Sequence, residues 1–330
     1  MKRALVTGGA GFIGSNLTHA LVNDDWVVDV VDDMSSGHLT QLDGLNYRVF
    51  LPGMSEIYEM QKTRGSDEVF VHECDFSHPV ILEKIASKHY DVVFHQAAVP
   101  RVSYSVEEPV LTTDVNLLRS VELLRACVGN VSRVVVASTC AVYGDTESLP
   151  TSENAPHKPK SPYALQKSTL EKYCTLFSDL YQLDTVCLRY FNVFGPGQYG
   201  DSPYSTAVAA WCDAIKNGRP LRSDGDGSQS RDMCYVDNVT SANILAAKSN
   251  MKMTGNVYNI CSGSRVENRQ ILAFLKDKFT SIEVTSAPWR PGDIMHTQGD
   301  CSLAHKELGY EPSISFWDGL EKTLAWWEIK

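Results

Sequence analysis

The chain has 330 residues, 43% of them hydrophobic and 21% charged, with a formal net charge of −10. This length exceeds one usual domain and is ample for a large core. The acidic balance argues against a nucleic-acid surface, which needs a basic face, and no apolar run approaches the roughly 18 residues of a membrane span. The nine cysteines show no CxxC pair and no Cys/His cluster at zinc spacing, which predicts reduced thiols in a cytoplasm and no metal site.

The chain opens on a short apolar strand, "RALVT" (3–7), and turns into glycines too early for a signal peptide. A helix is predicted from Phe12 to about Val22. "VVDVV" (27–31) is a second strand, and "EVFVHE" (68–73), "DVVFHQ" (91–96), "RVVVAS" (133–138) and "TVCLRY" (185–190) continue the series. Helical patterns lie between several of them, at about 79–88, 112–128 and 162–182. Strands alternating with helices predict an α/β fold with a Rossmann-type doubly wound parallel sheet. Residues 37–67 have mixed polarity and read as a surface excursion with no assigned role. After "FNVFGPGQYGDSP" strands shorten, and helices are predicted near 205–217, 237–249, 267–278 and 314–328. The expected organisation is a main domain over 1–190, with later segments returning to it, and a smaller interleaved α/β region over 191–330.

Two motifs carry chemistry. In "VTGGAGFIGSN", Gly8, Gly11 and Gly14 stand between a strand and a helix. Glycines there permit a tight turn and let the backbone approach a pyrophosphate at the helix N-terminus. Asp32 ends the second strand, 18 residues after Gly14. A carboxylate at that place accepts from a ribose diol and repels a 2′-phosphate, which favours NAD over NADP. In "SPYALQK", Tyr163 and Lys167 are four apart and share one helical face. A phenol with a pKa of about 10 is a poor base at neutral pH, and bringing it there requires roughly 4 kcal/mol. A lysine ammonium and a cationic nicotinamide beside it would supply that.

The glycine motif, the hydroxyl-bearing strand end "STCAVYG" (138–144) and YxxxK, in this order, resemble the extended short-chain dehydrogenase/reductase family. "FHQAAVPRVSYSVEEP", "DVNLLRSVELL", "LRYFNVFGPGQ", "GDGSQSRDMCYVDNV" and "RPGDIMHTQGD" resemble its nucleotide-sugar branch. Within it the pattern is most similar to UDP-N-acetylglucosamine 4-epimerases. The resemblance implies that 191–330 mainly binds a UDP-sugar. It also implies C4 epimerisation through a transient 4-keto sugar, with tightly bound NAD regenerated each turnover. Thr139, four positions before the tyrosine of "VYG", is the implied sugar-contacting hydroxyl, with Tyr163 as base and Lys167 as its partner. Family dehydratases carry an Asp-Glu pair directly after that threonine for general acid–base elimination. Here those positions are Cys140 and Ala141.

Implied cofactor contacts are Gly8, Gly11, Phe12, Ile13, Gly14, Asp32, Asp75 (adenine) with Phe76 beside it, Ala97 through its backbone, and Lys167 (nicotinamide ribose). On the substrate side, Arg231 and Arg290 match diphosphate contacts, Asp293 a uridine-ribose acceptor and Asn192 a phosphate or sugar contact. Gln198 resembles a residue lining the sugar pocket and able to bond an acetamide. Thr297 matches the position that controls room beside C2 of the sugar. Its small size predicts that UDP-GlcNAc and UDP-GalNAc fit, with UDP-glucose and UDP-galactose as weaker substrates. His95 reads as a hydrogen-bonded structural histidine. The family habit is a homodimer through the helices near 112–128 and 162–182. A UDP-glucose or UDP-uronic acid 4-epimerase, a dehydratase or decarboxylase, and a non-enzymatic nucleotide-binding protein are the alternatives on the same scaffold.

Overall fold

The computed structural model describes residues 1–52, 65, 67–146, 148–200, 206–279, 282–289 and 295–329. The apolar runs assemble into one sheet. β1 (Arg3–Thr7), β2 (Val27–Asp32), β4 (Glu68–Glu73), β5 (Val92–His95), β6 (Arg133–Thr139) and β7 (Thr185–Tyr190) are flanked by β3 (Asn46–Phe50) at one edge and β12 (Thr254–Ile260) at the other. The order is β12-β7-β6-β5-β1-β2-β4-β3, and the pairs from β6 to β3 run parallel. Helix-covered parallel strands are buried on both faces, which is why β1, β5 and β6 read as unbroken apolar runs.

The edge strands differ from the sequence reading. β3 lies within the excursion at 37–67. As an edge strand it is only half-buried, so its sequence lacks the strong apolar signal of the central strands. It is anchored by Arg48, which pairs with Glu68 at 2.6 Å, and by Phe50, whose ring packs on Phe70 at 4.8 Å.

The helices of this region are α1 (Phe12–Asn23), α2 (Pro79–Ala86), α3 (Val102–Glu107), α4 (Pro109–Thr113), α5 (Arg119–Cys127) and α6 (Pro162–Tyr181). α6 starts where its sequence directs: the Ser161 hydroxyl accepts from Ala164 N and Pro162 occupies the first turn. The single helix predicted over 112–128 is interrupted. A π-helical turn over Asp114–Leu118 separates α4 from α5. At this turn the buried Asn116 exchanges bonds with Val99 N and O (2.7 and 3.1 Å) and donates to Gln166 (2.8 Å). Buried polar side chains of this kind leave no trace in hydrophobic periodicity.

By contacts the chain forms two compact units. The first comprises Met1–Val142, Pro159–Arg189 and Thr240–Tyr258; the second comprises Tyr143–Lys158, Tyr190–Val239 and Asn259–Lys330. Relative to a boundary at 190/191, segment 143–158 lies in the second unit and 240–258 in the first. Arg133 explains much of the latter. Its guanidinium pairs with Asp184 and donates to Ala246 O, Ser249 O and Met251 O (2.7, 2.8 and 2.6 Å). It thereby satisfies carbonyls at the end of α8 (Val236–Lys248).

The second unit is built from short pairs: β8 (Val193–Phe194) with β11 (Cys234–Tyr235), β9 (Leu221–Asp224) with β14 (Val284–Ala287), and β10 (Ser230–Arg231) with β13 (Val266–Glu267). Around them lie α7 (Ala207–Lys216), α9 (Asn268–Lys278), α10 (Ser302–Leu308) and α11 (Phe316–Trp326). Phe194 packs between Tyr235 and Phe316. Among the described residues no helix is long and apolar enough to cross a membrane.

Candidate active site

The first unit holds a glycine cradle at the carboxyl end of β1. Gly8 has φ +67°, and a Cβ there would stand 2.8 Å from Ala97 Cα. A Cβ on Gly14 would lie 2.0 Å from Gly8 O, so only glycine lets α1 pack onto the turn. Gly11 caps α1 with no side-chain cap bond, leaving that helix start open for an anion. Phe12 and Ile13 are half-buried in its first turn.

Asp32 is buried, and its two oxygens accept from Ala10 N (3.0 Å) and Met34 N (2.9 Å). A carboxylate offers about four lone-pair sites, so capacity for a ribose diol remains. Burial raises its pKa against the pull of those N–H groups. A Cβ on Gly37 would come within 2.7 Å of this carboxylate. Gly37 is therefore part of the Asp32 site, a role that only its place after the second strand could have signalled. The close-packed glycines, the unblocked helix start and the buried acceptor fit NAD.

Other expected cofactor residues have commitments of their own. Asp75 pairs with Arg119 at 2.6 Å and accepts from Ser77 N and Oγ. Burial works upward on it, but Ser77 and Arg119 hold it below its ordinary value. The Phe76 side chain is core, its ring edge-on to His95 at 4.9 Å. His95 bonds Thr7 Oγ1 (2.8 Å) and Ser120 Oγ (2.9 Å), and burial lowers its pKa to about 3. It is a neutral structural histidine.

Thr139, Tyr163 and Lys167 come together in the same unit. Thr139 ends β6; its hydroxyl accepts from Ala141 N (3.2 Å) and lies near enough to the Tyr163 phenol to lower its pKa. Tyr163 and Lys167 are buried one turn apart on α6. The expected phenol–ammonium pairing gives way to a backbone bond: Lys167 Nζ donates to Ala137 O at 2.8 Å. Burial raises the phenol to about 12, against the pull of nearby Thr139, and burial lowers Lys167 to about 8. Forming a phenolate at neutral pH from this state requires roughly 7 kcal/mol, more than the unperturbed phenol would need. In both groups desolvation is the largest influence.

A buried clamp lies beneath them. Ser138 Oγ donates to Glu171, whose two oxygens also receive Arg189 Nε (2.9 Å) and Nη2 (2.7 Å). Glu171 is one turn beyond Lys167. The i, i+4, i+8 spacing of Tyr163, Lys167 and Glu171 was visible in the sequence, but Glu171, Arg189 and Asn116 were not singled out there.

The second unit gathers several expected substrate residues. Asn192 follows β7 with φ +28°, and its Nδ2 donates to Asp232 O (2.8 Å) and Thr297 Oγ1 (3.0 Å). Thr297 Oγ1 also accepts from Asp232 N (3.2 Å). Arg231 Nη1 donates to Ser230 O and Met295 O (3.1 and 3.2 Å). The Gln198 amide donates to Val193 O and accepts from Thr206 Oγ1 (both 3.1 Å). It braces its own loop. Arg290 and Asp293 lie outside the described residues. Asp232, not singled out in the sequence, is buried at the centre of this network. Burial raises its pKa to about 6 despite bonds from Ser262, Gly263 and Gly299.

The model of the NAD-dependent epimerase/dehydratase family matches residues 4–261. A UDP-glucose 4-epimerase of Mycolicibacterium smegmatis is 31% identical over 99% of both chains. Among solved structures, a UDP-N-acetylglucosamine 4-epimerase from Methanobrevibacter ruminantium M1, in complex with UDP-N-acetylmuramic acid, is 35% identical with a TM-score of 0.87 and covers 99% of this chain and 98% of its own. A UDP-glucose 4-epimerase from Thermus thermophilus, in complex with NAD, is 31% identical with a TM-score of 0.82 over 99% of both chains.

Proposed function

Because the chain belongs to the NAD-dependent epimerase/dehydratase family, we propose that it is a UDP-sugar 4-epimerase that prefers the UDP-GlcNAc/UDP-GalNAc pair. The observation that carries the reaction class is the strand end Thr139-Cys140-Ala141 beside Tyr163. A hydroxyl and a phenol can exchange one proton with the sugar O4. Elimination of water would need a further general acid and base, and alanine at 141 supplies neither. Bound NAD supplies the hydride acceptor and donor, and in its oxidised form a positive ring.

The chain's own residues do the rest. Thr139 holds the sugar hydroxyl against the Tyr163 phenol. Tyr163 takes the O4 proton as the 4-keto sugar forms and returns it after the sugar presents its other face. Lys167, fixed on Ala137 O, holds α6 against the end of β6 and contacts the nicotinamide ribose. The glycine turn and Asp32 receive the pyrophosphate and the adenine ribose. Asn192, Arg231 and Thr297 are the sugar-nucleotide ligands of the second unit, with Arg290 and Asp293 as the remaining phosphate and ribose contacts.

The small Thr297 side chain supports the N-acetyl preference, since it leaves room that a tyrosine would fill. The test is NMR and mass spectrometry of UDP-GlcNAc, UDP-glucose and UDP-glucuronic acid incubated with the protein. The product is expected to keep the substrate's mass, with UDP-GlcNAc turned over fastest. Loss of water or of carbon dioxide would sink the epimerase reading. Thr297→Tyr is expected to suppress UDP-GlcNAc turnover by about tenfold or more relative to UDP-glucose. Equal loss on both sugars would remove Thr297 from the pocket.

We further infer that a second copy covers the outer face of α3 to α6. Val106, Val110, Leu118, Leu165 and Leu180 are all more than half exposed on it. Leu118 also lines a groove of about 610 Å³ together with Leu82, Val121 and Phe177. Exposed apolar surface gathered on one set of helices fits an interaction site. Light scattering should find a dimer, and Val110→Glu with Leu180→Glu should give a monomer. A monomeric wild-type protein would refute the interface.

A further inference from the structure

Two of the free thiols face each other in the second unit. Cys261 follows β12 and Cys301 precedes α10, on two segments that lie side by side. The surrounding backbone shows the same interlock. A Cβ on Gly299 would lie 2.6 Å from Cys261 Sγ, and one on Gly263 would lie 3.9 Å from Cys301 Sγ. Each sulfur thus lies against the segment that carries the other. Asp232 ties the two segments together, accepting from Ser262 N (2.8 Å), Gly263 N (3.2 Å) and Gly299 N (3.1 Å). Gln298 Nε2 adds a bond to Gly263 O at 2.9 Å.

We propose that Cys261 and Cys301 form a reversible dithiol site, oxidised to an intramolecular disulfide by a hydroperoxide or a small-molecule disulfide, and that its closure weakens sugar-nucleotide binding through Asp232. Neither a metal nor packing explains the pair as well. Among the described residues no group of three metal-binding side chains occurs, and packing alone does not call for a thiol on each of two tied segments, each set against the other's backbone.

The chemistry has a direction. Cys261 is buried, whereas Cys301 is partly exposed. The neighbouring Cys261 thiol favours the thiolate at Cys301, lowering its pKa, while that of Cys261 is raised. The thiolate is the nucleophile. Cys301 attacks the peroxide oxygen, breaking the O–O bond to give a sulfenic acid and, from hydrogen peroxide, water. Cys261 then attacks the Cys301 sulfur and a second water leaves. The two thiols lose two electrons and two protons, and the peroxide is reduced. With glutathione disulfide the steps are a mixed disulfide and its resolution, releasing two reduced glutathiones.

Closure brings the two free sulfurs to a bond of about 2.05 Å, so the two segments must shift together. Asp232 is bonded to both. Its backbone in turn holds Asn192 through its carbonyl and Thr297 through its N–H. The coupling to substrate rests on reading these two as sugar-nucleotide ligands, as proposed above.

The test treats the reduced holoenzyme with hydrogen peroxide, or with glutathione disulfide, and maps peptides without reduction. UDP affinity is measured calorimetrically before and after. A linked Cys261–Cys301 peptide that dithiothreitol reverses is expected, with UDP affinity lower by about tenfold. Cys301→Ser should show neither change. Sulfinic acid or stable glutathionylation at Cys301, with Cys261 still a free thiol, would overturn the pair. A linked peptide with unchanged UDP affinity would overturn the coupling. If the reduced protein binds no UDP, the functional reading and the coupling fall together, and the linked peptide still decides the dithiol site.

Discussion

Tyr163→Phe is expected to keep the fold and bound NAD while lowering epimerase turnover about 10²–10⁴-fold. The ring is buried and would remain so. Only the phenol oxygen is lost, and with it at most one polar interaction, with Thr139. Losing one such interaction costs on the order of 1 kcal/mol of stability, so the melting transition should move little. Turnover falls far more, because the proposed acceptor of the O4 proton is gone. The pH profile separates this from a packing defect. In the wild type the base must be deprotonated, so kcat/KM is lost as pH falls through the phenol's pKa in the holoenzyme. Burial places that group at about 12 in the protein alone, and the positive nicotinamide must bring it down. The variant should lose that acid limb. Near-full turnover, or an unchanged acid limb, would show that Tyr163 is not the base.

The central sheet was legible because strands buried on both faces carry their signal in every residue. Val134, Val135 and Val136 need no alternation to be read as a strand. β3 was not, because an edge strand pairs on one side only and is half-exposed, so its residues need no continuous apolar run. The glycine cradle was legible through three residues whose side chains are absent for steric reasons. Gly37 escaped because its partner, the Asp32 carboxylate, approaches it from the preceding strand and no spacing rule connects them. The shared face of Tyr163 and Lys167 followed from helical spacing. The electrostatics did not, because desolvation depends on what covers a group rather than on its neighbours in sequence. Asp232 and Asn116 were missed for a related reason. A buried polar residue declares itself only through partners such as Thr297 and Val99, which the chain brings from far along its length.

Glu171→Gln is expected to cost about 3–5 kcal/mol of stability, read by chemical denaturation, because it leaves the Arg189 guanidinium buried without its counter-charge. Both side chains are at most 5% exposed, and the pairing is bidentate. Water cannot replace the lost oxygen charge at so small a cost as it would on the surface. Removing both charges has a different outcome. Glu171→Leu with Arg189→Met exchanges the pair for apolar volume, and such exchanges are often neutral or stabilising. The double variant should therefore recover most of the stability lost by Glu171→Gln. It should not recover the activity. Glu171 also accepts from Ser138 Oγ, the residue before Thr139, while Lys167 bonds Ala137 O. These two bonds set the register between the end of β6 and the helix face that carries Tyr163. Without the Ser138 bond, Thr139 loses one of its two anchors, and small displacements of a reacting group cost rate steeply. The expected signature is a stable enzyme with kcat lowered about tenfold or more and KM for the UDP-sugar little changed. Ser138→Ala in the otherwise native protein should show the same split with a smaller stability cost. A stable double variant with full kcat would mean that the clamp holds the core alone and does not position the hydroxyl.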